Sequence, residues 1–253
     1  MSIIKKLNLK NKLVYICGGS GLIGREISKE FINCGAKVIN LDLIDKNKKT
    51  KKIKFEKFDI VNDGVNSSRI NTLIKKYGVP DILIQAAYPT SKNWKSSKLD
   101  KLKLNSFLEN FEMQLVKNIW FTKIIGNKMK KKGGSIIFLN SIYGLVAQDT
   151  KMYENTNINY NFTYAVIKGA ITNAVRQMAV IYAKYKIRVN SVCPGGIIDK
   201  QGKSFISKYS MKTPLKRMAN SKDIAPTVVF LSSDNAKYIT GINLAIDGGF
   251  TAI

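Results

Sequence analysis

The chain has 253 residues, 45% hydrophobic and 23% charged, with 42 basic against 17 acidic side chains and a formal net charge of +25. It contains no histidine and three cysteines, Cys17, Cys34 and Cys193, which excludes a His-based triad or imidazole base, suggests no metal site and fits a reducing compartment. No apolar run reaches the roughly 18 residues of a membrane span, and residues 1–12 lack the marks of a signal peptide, so a cytoplasmic protein without a membrane partner is expected.

In chain order, residues 13–17 form a short apolar run that predicts a buried strand. A glycine-rich turn follows from Gly18 to Gly24, and residues 25–34 continue with helical periodicity. A second strand is predicted over 37–43, with Asp42 at its end, and a third over 55–60. A helix over 67–77 and a fourth strand over 82–86 come next. A long helical stretch covers 105–131 and stops at Gly133-Gly134. The fifth strand, 135–139, leads to Asn140 and Ser141. A second long helix covers 162–185 and the sixth strand 187–192. A helix over 221–232 has Ser221 as its expected N-cap and Asp223 in its first turn. A last short strand covers 244–246. Segments 89–99 and 146–161 read as irregular. This alternation predicts an α/β fold with a doubly wound, Rossmann-like parallel sheet, built as a single domain over 1–253.

In the turn Gly18-Gly19-Ser20-Gly21-Leu22-Ile23-Gly24, the glycines let the backbone turn sharply and approach a pyrophosphate. The helix N-terminus that follows then faces the negative charge. The turn lies between a strand and a helix, the context in which such a motif indicates dinucleotide binding. Asp42 stands 18 residues after Gly24. A carboxylate there can accept both adenosine-ribose hydroxyls and repels a 2′-phosphate, which favours NAD, with NADP as the alternative. Asp59, beside Ile60, is a candidate adenine contact or a turn cap.

Three Tyr/Lys pairs have a four-residue spacing: Tyr88/Lys92, Tyr164/Lys168 and Tyr182/Lys186. The first is interrupted by Pro89. The third lies at the far end of its helix, about 27 Å from Tyr164 at 1.5 Å per residue. Tyr164/Lys168 opens a helix and shares one face of it, and Ser141 reaches the same rim from the fifth strand. An ammonium beside a phenol is expected to lower its pKa, making Tyr164 a proton carrier at neutral pH. Lys168 can also bond the nicotinamide ribose, and Ser141 the substrate oxygen. The plainer alternative is a core tyrosine and a surface lysine.

These landmarks, with Asp59, Ile187-Arg188-Val189-Asn190, Pro194-Gly195 and Asp247-Gly248-Gly249, resemble the short-chain dehydrogenase/reductase family over essentially the whole chain. The resemblance implies a seven-stranded sheet, a homodimer or homotetramer packed through the two long helices, and cofactor contacts from Ala86, Ala87, Pro194, Gly195 and Ile197. It places the family's helix-borne catalytic Asn at Gln114, with Asn118 one turn later as a substitute. The family's Asn-Asn-Ala-Gly reads Gln85-Ala86-Ala87-Tyr88, and its common Thr after Pro-Gly reads Asp199. Ser141 and Tyr164 are separated by an insertion over 149–160, expected to shape specificity. The insertion, with Ser141-Ile142-Tyr143-Gly144, is similar to oxidoreductases of bacterial surface-sugar pathways, including flagellin-modification and legionaminic-acid-type enzymes. That implies a small-molecule sugar substrate, as a phosphosugar or nucleotide sugar. An NADPH-dependent 3-oxoacyl-carrier-protein reductase is the alternative.

A net charge of +25 also fits a polyanion-binding protein. Arginine is scarce (Arg25, Arg69, Arg176, Arg188, Arg217) and the lysines are dispersed, which points to compositional bias and no nucleic-acid partner. The lysine cluster over 46–54 reads as a solvated loop. Lys92, Lys95, Lys203 and Lys208 are expected in substrate-side loops as solvated charges.

Overall fold

A computed structural model of the chain describes residues 7–47, 50, 52–94 and 98–253. Lys95 and part of the 46–54 cluster lie outside the described residues. Seven strands form one parallel sheet in the order β3-β2-β1-β4-β5-β6-β7. They are β1 Leu13–Cys17, β2 Lys37–Asp42, β3 Ile53–Lys57, β4 Ile82–Gln85, β5 Gly134–Leu139, β6 Ile187–Pro194 and β7 Asn243–Ile246.

Alternate side chains of each inner strand enter opposite cores, because successive Cβ atoms point to opposite faces. Tyr15, Leu83, Ile136 and Val189 join one core. Val14, Ile16, Ile84 and Ile137 join the other. Both faces are covered, so inner strands such as β1 and β4 read as nearly continuous apolar runs. The first core is closed by α2 (Ser67–Tyr77), α4 (Lys117–Met129) and α5 (Phe162–Ala183), which contribute Leu73, Phe121 and Ile171. The second is closed by α1 (Leu22–Asn33) and α7 (Ser221–Ser232), through Phe31 and Val228. Strand order reverses at β1, which pairs with both β2 and β4, and the carboxyl ends of β1, β4 and β5 open a crevice there. Among the described residues, no helix is long and apolar enough to cross a membrane.

The elements depart from expectation in a few places. The third strand is Ile53–Lys57, not 55–60. Asp59 ends it, because its carboxylate accepts from the Val61 backbone at 2.9 Å and from Asn62 at 2.8 Å, forming a turn. The helix predicted over 105–131 is α3 (Leu104–Phe111), a π-helical turn (Glu112–Val116) and α4. No Pro or Gly marks that turn, so periodicity could not reveal it. Asn220, not Ser221, caps α7; its side chain accepts from the Lys222 backbone, and Asp223 bonds back to the Asn220 N–H at 2.8 Å. Lys203 and Lys208 lie on a helix, α6 (Lys203–Lys212), not in loops. Phe205 and Tyr209, four residues apart and buried, anchor it.

Candidate active site

The crevice is a cleft of about 1020 Å³ running from the glycine turn to the insertion. Gly18 turns the chain out of β1 with φ +77°, and a Cβ there would stand 2.6 Å from the Ala86 carbonyl oxygen. A Cβ on Gly24 would stand 2.1 Å from the Gly18 carbonyl oxygen. These close approaches leave the backbone bare towards the cleft. Gly21 is the N-cap of α1 and offers no capping side chain, and the first turn holds no acid. The helix's first N–H groups and positive dipole end therefore remain available to an anion, as a dinucleotide pyrophosphate requires. Gly18→Ala should cost about 2–4 kcal/mol of stability, measured by urea unfolding, because it combines an unfavourable φ with a backbone clash.

Asp42, at the end of β2, lines the cleft. One carboxylate oxygen accepts from the Ser20 N–H at 2.9 Å and the other from the Leu43 N–H at 2.7 Å. These bonds hold the acid against the glycine turn, where a ribose would lie. Ser20, Leu22, Ile23, Ile60, Ala86, Ala87, Pro194, Gly195 and Ile197 line the same cleft. Asp59 also borders it, with its carboxylate engaged in capping its own turn. The residues present fit an NAD-type dinucleotide.

Ser141 follows β5 and caps the 3₁₀ turn Ile142–Gly144, its Oγ accepting from the Tyr143 N–H at 3.2 Å. Asn161 caps α5, its carboxamide oxygen accepting from the Tyr164 N–H at 2.8 Å. The two caps deliver Ser141 and Tyr164 to one wall of the cleft. Lys168 is buried one turn further and donates to the Leu139 carbonyl at 3.2 Å. Its Nζ lies 5.4 Å from the Tyr164 ring centroid. Tyr164 and Lys168 thus share the cleft as their spacing predicts.

The electrostatic expectation for this pair is corrected. Burial pushes the Tyr164 phenol up to about 12, while the Ser141 hydrogen bond opposes the rise. The expected lowering by Lys168 is not among the causes of the shift, whose largest is desolvation, which disfavours the phenolate. Burial likewise brings Lys168 down to about 8, opposed by Cys193.

Gln114 and Asn118 do not line the cleft; they lie behind Lys168, bordering with it a void of about 10 Å³. Gln114 sits in the π-helical turn, and Asn118 Nδ2 donates to the Gln114 carbonyl at 2.7 Å. Gln85 Nε2 donates to the Asn118 carbonyl at 3.1 Å and to Thr122 Oγ1 at 3.0 Å. Both terminal atoms of Gln114, with Gln85 Oε1 and Asn118 Oδ1, are buried without a protein partner. Polar atoms around a space of that size are the setting of a buried water.

Sequence reasoning missed an aromatic wall around Tyr164. Tyr88, Trp94 and Tyr143 meet its ring edge-on at centroid distances of 5.8, 6.3 and 6.4 Å. Tyr88 drew attention through a rejected Lys pairing and as the last residue of Gln85-Ala86-Ala87-Tyr88, neither of which indicated a ring contact, and Trp94 comes from a segment without periodicity. The insertion supplies Tyr153, Asn157, Ile158, Asn159 and Tyr160 to the cleft. It is held against α6 by a Lys212–Asp149 ion pair and by Tyr153–Phe205 ring contact at 5.5 Å.

A family model described as "Enoyl-(Acyl carrier protein) reductase" matches residues 20–251. Post-translational flagellin modification protein A of Campylobacter coli is 29% identical over 253 residues, covering 96% of this chain and 99% of the relative. The 7alpha-hydroxysteroid dehydrogenase of Escherichia coli K12 is also 29% identical, over 257 residues, covering 96% and 95%. A crystal structure of a short chain dehydrogenase from Leptospira borgpetersenii with bound NAD+ superposes with a TM-score of 0.88 at 33% identity, covering 99% of this chain and 96% of that one.

Proposed function

The chain belongs to the short-chain dehydrogenase/reductase family of oxidoreductases, and from that premise we propose that it is an NAD-linked enzyme interconverting an alcohol and a ketone on a sugar derivative. The observation that carries this reading is the convergence of Ser141, Tyr164 and Lys168 on a cleft that begins at a bare glycine turn. NAD, when bound, would exchange hydride with the carbinol carbon. Ser141 holds the reacting oxygen by hydrogen bonding. Tyr164 takes the hydroxyl proton on oxidation and returns it on reduction. With its phenol raised to about 12, Tyr164 carries its proton at neutral pH and is set to act as the acid in ketone reduction. Lys168 is placed to bond ribose hydroxyls with its ammonium.

The similarity to a flagellin modification protein supports a substrate from surface-glycan biosynthesis, as a phosphosugar or nucleotide sugar. The cleft supports this chemically: the carboxamides of Gln148, Asn157, Asn159 and Gln201 can donate to and accept from hydroxyl groups. Exposed Trp120 on α4 and Val180 and Ile181 on α5 fit a homodimer or homotetramer packed through the two long helices.

Titration with NADH and NADPH, read by cofactor fluorescence, tests the cofactor assignment. NADH should bind about tenfold or more tightly than NADPH, and Asp42→Ala should narrow that gap by admitting the 2′-phosphate. Preference for NADPH, with turnover of an acetoacetyl thioester, would replace this reading with the acyl-carrier one.

A further inference from the structure

A directed chain of hydrogen bonds runs from the catalytic helix's cap into the cleft. It starts at the Asn161 backbone N–H, which can only donate, and which meets Gln148 Oε1 at 3.0 Å. That contact orients the carboxamide, so Gln148 Nε2 must face the other way, where it donates to the Tyr153 hydroxyl at 3.2 Å. With its acceptor position taken, the Tyr153 hydroxyl donates to the Tyr143 oxygen at 3.0 Å. Tyr143 thus accepts from its neighbour and keeps its own proton to give. Tyr143, Gln148 and Tyr153 all line the cleft. Burial pushes the Tyr143 phenol well above its ordinary range, so it stays protonated.

Tyr143 is fixed beside the reacting groups. It lies two residues after Ser141 in the same 3₁₀ turn, and its N–H is bound by Ser141 Oγ at 3.2 Å. Its ring meets that of Tyr164 at 6.4 Å and 79°. Ser141 and Tyr164 address one substrate oxygen, and Tyr143 offers a separate donor from the same wall.

Resting on the oxidoreductase reading above, we propose that Tyr143 donates a hydrogen bond to a second substrate oxygen on the carbon next to the reacting one. The enzyme would thereby select vicinal diols and α-hydroxy ketones over simple alcohols and ketones. Gln148 and Tyr153 are positioning residues that set the direction of that donor. A site built around a buried donor discriminates strongly against analogues lacking the acceptor, because the donor is then left unpaired. A sugar ring presents such oxygen pairs.

The test compares cis-1,2-cyclohexanediol with cyclohexanol as substrates with NAD+, in the wild type and in Tyr143→Phe. The wild type should favour the diol in kcat/KM by about tenfold or more, and Tyr143→Phe should reduce that ratio to near unity. Gln148→Leu, which frees the direction of the chain without removing the Tyr143 hydroxyl, should reduce the ratio in part. Binding of both alcohols to the NADH-loaded protein, read by quenching of cofactor fluorescence, gives the same comparison without turnover. Equal use or equal binding of the two alcohols by the wild type overturns the proposal, as does an unchanged ratio in Tyr143→Phe. Failure of the underlying reading looks different: NADH would not bind, or Tyr164→Phe would keep the wild-type rate.

Discussion

Tyr164→Phe should lower kcat by about 10³-fold or more while changing the NADH dissociation constant by less than about threefold. The substitution removes one hydroxyl, the group proposed to exchange a proton with the reacting oxygen. The ring remains, and so do its edge-on contacts with Tyr88, Trp94 and Tyr143. In the proposed assignment the cofactor is recognised by the glycine turn and Asp42, which line the other end of the cleft. Steady-state rates and a fluorescence titration on the same preparation check both halves. A variant that keeps its rate would remove Tyr164 from proton transfer. A variant that loses NADH binding in parallel would show that the phenol serves the cofactor instead.

Lys168→Met should lose activity and gain stability, by about 2 kcal/mol at pH 7. Burial holds the Lys168 ammonium at about 8 in the folded chain, against an ordinary value of 10.5. That depression is the cost of keeping a charge out of water, at about 1.4 kcal/mol per pH unit. Loss of the bond to the Leu139 carbonyl offsets part of the gain in the variant. The pH dependence has a definite sign. Between about 8 and 10.5 the unfolded chain holds the lysine proton more tightly than the folded chain does. The lysine's contribution to stability therefore rises with pH across that window, and below about 8 the full penalty is present. Urea unfolding from pH 7 to 10.5 should show the wild type gaining on the variant by about 3 kcal/mol. A parallel pair of curves would mean that the ammonium is not desolvated. Together the two substitutions separate proton transfer from the electrostatic strain that the site carries.

Much of the fold was legible from local patterns. The inner strands β1, β4 and β5 are short, largely apolar runs because both faces of a parallel sheet are covered, whereas β6 carries Arg188, Asn190 and Ser191 among its apolar residues. The glycine turn was legible because Gly18 and Gly24 stand where any side chain would strike backbone. Tyr164/Lys168 could be selected from three equal spacings because Pro89 breaks one pair and helix length removes another. The end of the third strand was misjudged because Phe58 and Ile60 are buried like strand residues, although the Asp59 turn has already taken the chain out of the sheet. The π-helical turn at Glu112–Val116 left no local mark either, since its residues have ordinary helical character.

By itself, the sequence determined most of the sheet's strands, the glycine turn after the first of them and which residue types could move a proton, because these depend on local periodicity and on side chains that cannot be exchanged. The tertiary structure alone decided the charge state and surroundings of the site. The raised phenol of Tyr164 and the lowered ammonium of Lys168 follow from burial by segments far away in sequence. The direction of the chain from Asn161 to Tyr143 likewise exists only once the insertion has folded onto the cap of α5. Desolvation and hydrogen-bond direction are properties of a surrounding, and a surrounding is assembled from parts of the chain that the sequence does not place next to each other.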